Sequence, residues 1–178
     1  MHLFRNMKST SALISSLRGG LLAVVPLLSV SAVRAEDAAL AEARVRAQLL
    51  HETFHGALQV MHRDFFREED RSRIPSASLE GVFDELEKTW QVKVRWLAVN
   101  AKPMSIDHKP ADAFERKAAS KIEGGDEMYE ATEGETYRYA GAITLGNACL
   151  KCHVPDRTSL EDRKAALVIT MPLKMVKP

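Results

Sequence analysis

A chain of 178 residues, 46% hydrophobic and 28% charged, is long enough for one domain with a real core and is neither disordered nor a multispan membrane protein. With 25 basic and 24 acidic side chains the net charge is +1, which argues against a nucleic-acid partner, and two cysteines cannot make a disulfide-rich scaffold. The charge is uneven, because residues 1–35 hold Arg5, Lys8, Arg18 and Arg34 and no acid, leaving 21 basic against 24 acidic side chains in the remainder.

Residues 1–35 read as a secretory leader. A basic stretch precedes the apolar run Leu21–Val33, which is shorter than the roughly 20 residues a spanning helix needs. Val33 and Ala35 then fall at the −3 and −1 positions of a cleavage site, which makes Glu36 the expected mature start. The alternative is an uncleaved anchor, since Leu13 and Ile14 lengthen the apolar segment. No tandem arginine pair is present, so the chain is expected to cross unfolded and to acquire any cofactor outside.

Residues 36–178 carry no repeat and no low-complexity linker and read as one domain. From Ala38 to about Arg71 the apolar spacing predicts one long helix or two coaxial ones. Ile74-Pro75-Ser76 interrupts it, and Leu79, Val82, Phe83 and Leu86 form the stripe of a second helix reaching about Thr89. Val92–Val99 alternates and is β-branched, a strand. A loop follows over Asn100–Pro110, then a short helix over Ala111–Ile122 closed by Gly124-Gly125. Met128–Glu133 and Thr136–Leu145 are strands across a turn at Gly134, and Ala165–Leu173 is the last strand. Helices first, then strands with one helix inserted, predict an α+β fold with an antiparallel sheet rather than a βαβ repeat.

Cys149-Leu150-Lys151-Cys152-His153 is C-x-x-C-H, the attachment pattern of c-type haem. Two thiols at this spacing reach the two vinyl groups of one porphyrin, and the adjacent His153 falls beneath the iron as proximal ligand. A thioredoxin-type site would need a βαβ setting and no histidine. A zinc site would need four ligands, and there is no second cysteine pair. The reading is one covalent haem c, with Cys149, Cys152 and His153 as its attachment and ligand residues.

The sixth ligand is sought on the first helix. At about 100° per residue, His51, His55, Leu58, His62 and Phe65 share one stripe. His51 and His62 are about 16 Å apart along such a helix, so one of them at most binds a given iron. His62 ranks first, then His55, then His51, with the others lining the haem edge or bonding a propionate. His108, Met104 and Met61 are further candidates, a methionine giving a centre of higher potential. Arg95, Arg138 and Arg157 are candidate propionate partners or solvated charges. Trp96, Tyr137 and Tyr139 either pack on the porphyrin or belong to the sheet core.

These residues, the strand Val92–Val99 running into Asn100, the Pro110–Phe114–Glu115 start of the inserted helix and Gly141-Ala142-Ile143-Thr144-Leu145 leading into the cysteines make residues 40 onward similar to an exported haem c family first described in cyanobacteria. The resemblance implies a PAS-like antiparallel sheet preceded by a long N-terminal helix. It also implies a single c-type haem serving electron transfer or redox or gas sensing, with no established catalytic reaction. Cyanobacterial members are associated with a cysteine as sixth ligand, and this chain has no cysteine outside the haem motif. A helix-1 histidine in its place makes the centre bis-His and raises its potential.

The expected function is therefore an exported monohaem protein, with a redox protein as partner and a small gas as a further ligand. Membrane association is expected only if the leader is retained. The alternative is a peroxidase-like haem enzyme, which needs a five-coordinate iron and distal acid–base residues such as His55 and His62.

Overall fold

The computed structural model describes residues 25–65, 74–103, 105–146, 149–150, 153–154 and 158–175. The chain divides into two compact units, residues 1–35 and 36–178. Within the second, three helices surround one four-stranded sheet. Among the described residues no helix is long and apolar enough to cross a membrane.

Helix α1 runs Val25–Asp64, beginning well before the expected Ala38, while the expected end at Arg71 lies outside the described residues. Its inward side is a rail of alanines, Ala39, Ala43 and Ala47, continued by His51 and Phe54. Side chains this small let the helix lie close on the sheet. Helix α2 spans Pro75–Trp90, with Pro75 in its first turn, where the missing N–H costs nothing. It ends on Gln91 in the left-handed region at φ 56°. Leu79 and Phe83 point inward, and Phe83 stands edge-on to Phe54 at 5.0 Å and against Trp96 at 5.2 Å. Trp96 also donates its indole N–H to the Ser76 carbonyl at 3.3 Å, so α1, α2 and the first strand meet in one aromatic joint.

Strands β1 (Lys93–Ala98), β2 (Met128–Glu133), β3 (Thr136–Leu145) and β4 (Arg163–Pro172) form a wholly antiparallel sheet of order β1-β4-β3-β2. β2 and β3 are a hairpin across Gly134, whose φ of 61° suits a residue without Cβ. β1 and β2 lie at opposite edges, so helix α3 (Ala113–Glu123) crosses one whole face to join them. Asp112 caps α3 by accepting the Glu115 N–H at 2.9 Å.

Strand alternation sorts the core into two layers. Val94, Trp96, Tyr137, Tyr139, Ile143, Leu167, Ile169 and Met171 pack with α1 and α2, whereas Leu97, Ala140, Ala166 and Val168 lie with Phe114, Ala118 and Ile122 of α3. The expected α+β class and every expected strand are present. The sequence pattern carried no information on strand order.

Candidate functional site

The β3–β4 connection carries Cys149 and His153. After Leu145 the chain turns at Gly146, whose carbonyl accepts the N–H groups of Cys149 at 2.8 Å and Leu150 at 3.2 Å. The Val154 N–H reaches the Leu150 carbonyl at 3.0 Å, closing one helical turn. Leu150 is 1% exposed and joins the α1–α2 core, with the half-buried Val154 beside it. This apolar peg fixes the turn, so Cys149 stands exposed with a free thiol and His153 half-buried. Cys152 lies outside the described residues.

His153 has company. Burial first, and then the nearby His62 and His108 rings, push its pKa below the ordinary histidine value. His62 comes from α1, His108 from the turn Ile106–His108 and His153 from the β3–β4 connection, and the charges of the first two act on the third. His62 donates its Nδ1–H to the Leu58 carbonyl at 3.0 Å, which in the neutral ring leaves the lone pair on Nε2. A histidine oriented through Nδ1 in this way presents Nε2 as a metal-ligating atom. The Nε2 of His108 is 3.2 Å from Glu80 Oε1.

The other two stripe histidines sit differently. Gln59 donates to His55 Nε2 at 2.8 Å, occupying that lone pair, and burial followed by the His51 charge lowers the His55 pKa against the pull of Glu52. His51 is 5% exposed, its ring stands edge-on to Tyr139 at 6.0 Å, and neither ring nitrogen has a hydrogen-bond partner. It fits only because β3 has Gly141 beneath it. A Cβ there would stand 2.6 Å from His51 Nε2 and 2.8 Å from a Tyr139 ring carbon. An isolated glycine inside a strand pattern is the sequence signal of such an approach. His51 thus lies against mid-β3, whereas His62, eleven residues on, is the stripe histidine whose charge acts on His153.

Several expected companions are elsewhere. Phe65 is 75% exposed and leaves the stripe just past the helix end. Arg95 and Arg138 are on the α3 face, paired with Glu115 and Asp112, and so do not face the histidines. The reason is strand alternation: their neighbours Val94, Trp96, Tyr137 and Tyr139 take the α1 side as sheet core. Met61 is partly buried against that core, whereas Met104 and Arg157 lie outside the described residues.

Fold and site together define an α+β protein in which a histidine-bearing helix packs on an antiparallel sheet next to a C-x-x-C-H turn. The chain belongs to the Tll0287-like family, whose model matches residues 33–171. Among solved structures, the crystal structure of the cyanobacterial heme-protein Tll0287 shares the fold, with a TM-score of 0.53 at 16% identity, covering 77% of this chain and 96% of that one. No curated protein matches.

Proposed function

We propose that this chain is an exported monohaem protein of the c type that works in electron transfer or in redox or gas sensing. The observation that carries the reading is that His62, an α1 histidine whose Nδ1–H is already committed to a backbone carbonyl, acts electrostatically on His153 of the C-x-x-C-H turn. The residues suit the group: an exposed thiol at Cys149, a half-buried imidazole four residues later, and a second imidazole presenting Nε2. Cys149 and Cys152 would hold the porphyrin covalently, and His153 and His62 would ligate its iron. When bound, the haem supplies a one-electron couple whose potential follows from its axial ligands.

His62 is preferred because it is the α1 histidine whose charge acts on His153, and over His51 also because that ring is wedged over Gly141. Removal of residues 1–35 during export, leaving Glu36 first, completes the reading, with a redox protein as partner.

The test is haem staining after denaturing electrophoresis, followed by ferric and ferrous spectra with and without CO. Wild type should retain haem and be low spin, and the Cys149→Ser, Cys152→Ser double variant should lose the stain. His62→Ala should turn the spectrum high spin and admit CO. Covalent haem persisting in the double variant would refute the attachment. A wild type that is already high spin would favour the five-coordinate, peroxidase-like alternative.

A further inference from the structure

The sheet face turned away from the histidines holds a cleft of about 420 Å³ at the start of α3. This is a volume suited to a small solute. Its floor is ordered by strand register. Lys93 on β1 stands opposite Thr170 on β4, and Thr170 stands opposite Arg138 on β3. Neighbouring strands are about 4.8 Å apart, so the row reads cation, hydroxyl, cation across roughly 10 Å. One step along the same face, Glu133 on β2 stands opposite Thr136 on β3 and brings a carboxylate to the far corner.

The charges of this cleft are not all spent. Glu115, 2% exposed, pairs with Arg95 and accepts the Ala111 N–H at 2.7 Å. Asp112 takes Arg138 at 2.8 Å while it caps α3. Those contacts engage Asp112, Glu115 and Arg95, the last of which also donates to the Asp107 and Lys109 carbonyls. Three groups are left over. Among the described residues Lys93 and Glu133 form no ion pair, and Arg138, though held by Asp112 and stacked over Phe114 at 4.2 Å, keeps a buried Nε–H without an acceptor. An unsatisfied buried donor of this kind calls for a partner.

The lining holds three cations and three carboxylates, so its net charge is zero and it favours neither a plain anion nor a plain cation. Its unpaired charges are nonetheless separated, Lys93 on the strand beside Thr170 and Glu133 at the far corner, with the spare Nε–H of Arg138 on the strand between. A ligand that is neutral overall and carries both charges matches both ends. We infer that this cleft binds a small zwitterion of the α-amino-acid class, its carboxylate over Thr170 between Lys93 and Arg138 and its ammonium at Glu133.

Isothermal titration of the purified full chain with each standard amino acid tests this, with acetate and methylamine as single-charge probes. At least one amino acid should saturate a single site while acetate and methylamine give no heat. Lys93 and Glu133 are both exposed, so Lys93→Met and Glu133→Gln should leave the circular dichroism unchanged. Each should weaken binding about tenfold or more, the loss of roughly one charge-assisted contact. In Glu133→Gln the preference for amino acid over acetate should shrink, because the ammonium has lost its partner. The proposal is overturned if no amino acid binds below about 10 mM, if acetate binds as tightly as the amino acid, or if binding survives both substitutions.

Discussion

The two faces of the sheet solve one packing problem in opposite ways. Toward α1 the strands present large side chains, Trp96, Tyr137, Tyr139, Ile169 and Met171, and the helix answers with Ala39, Ala43 and Ala47. Toward α3 the strands present Leu97, Ala140, Ala166 and Val168, and the helix answers with Phe114, Ala118, Ala119 and Ile122. Bulk therefore lies mainly on the strands on the α1 side and is shared between strands and helix on the α3 side. Polarity divides just as sharply. The α1 face buries His51 with no hydrogen-bond partner, whereas the α3 face buries Glu115 inside a set of arginines.

The largest expected effect breaks the α3 face. Arg95 and Arg138 both face Glu115, at 23% and 13% side-chain exposure, and neither is well solvated. Glu115→Gln removes the charge and leaves both guanidiniums short of a partner. A loss of about 3 kcal/mol in urea denaturation is expected, the lower end of what breaking a buried pair costs because the arginines are only partly covered. A loss below about 0.5 kcal/mol would show that the α3 face is held by its apolar layer alone.

The α1 face breaks at its closest approach. Gly141→Ala places a methyl against the His51 ring and Tyr139, and neither can withdraw far, since one is fixed on a helix and the other in mid-sheet. Overpacking of this kind costs about 1–3 kcal/mol. His51→Ala in the same chain should recover much of it, because it removes the ring that the methyl meets. Thermal unfolding of the two single variants and the double variant checks this, and additive losses would mean that His51 is not what the glycine accommodates.

How much of this was legible in the sequence follows from range. Elements set by local pattern came through, including the Pro75 start of α2, the Gly134 hairpin and all four strands. The C-x-x-C-H pattern stands out in the sequence because its residues are contiguous, and Cys149 and His153 are the two of its three chemical residues that the structure describes. The sixth-ligand ranking needed a helical period alone, but choosing within it takes hydrogen bonds, those of Leu58 to His62 and Gln59 to His55, which no spacing encodes. The side taken by Arg95 and Arg138 was open to inspection through alternation with Trp96 and Tyr137, yet which face meets α1 depends on long-range packing. The α3 cleft has no motif at all. Its row of Lys93, Thr170 and Arg138 comes from three strands joined by strand order.

The smallest expected effect lies at the sheet edge, where the α1 face meets solvent. Arg44 of α1 donates through Nε to both oxygens of Glu130 on β2, at 3.0 and 2.9 Å, and the Tyr137 hydroxyl donates to the same carboxylate. The Arg44 bond holds the Glu130 pKa below the ordinary carboxylate range, against burial, with Tyr137 assisting. A depressed carboxylate pKa gives stability that is complete above the unfolded value of about 4.3 and is lost as pH falls through the lower folded value. Tyr137 works in the opposite direction. Burial first, and then Glu130, raise its pKa, so its contribution is present below about pH 10 and is lost as pH rises beyond that. Arg44 is 39% exposed, so water and salt screen the pair and the effect is modest. Urea midpoints measured from about pH 6 down to pH 3 should fall more steeply for wild type than for Glu130→Gln, and the gap should narrow in high salt. Equal slopes would mean that α1 is held to the sheet by its alanine rail and aromatic joint, with nothing added by this ion pair.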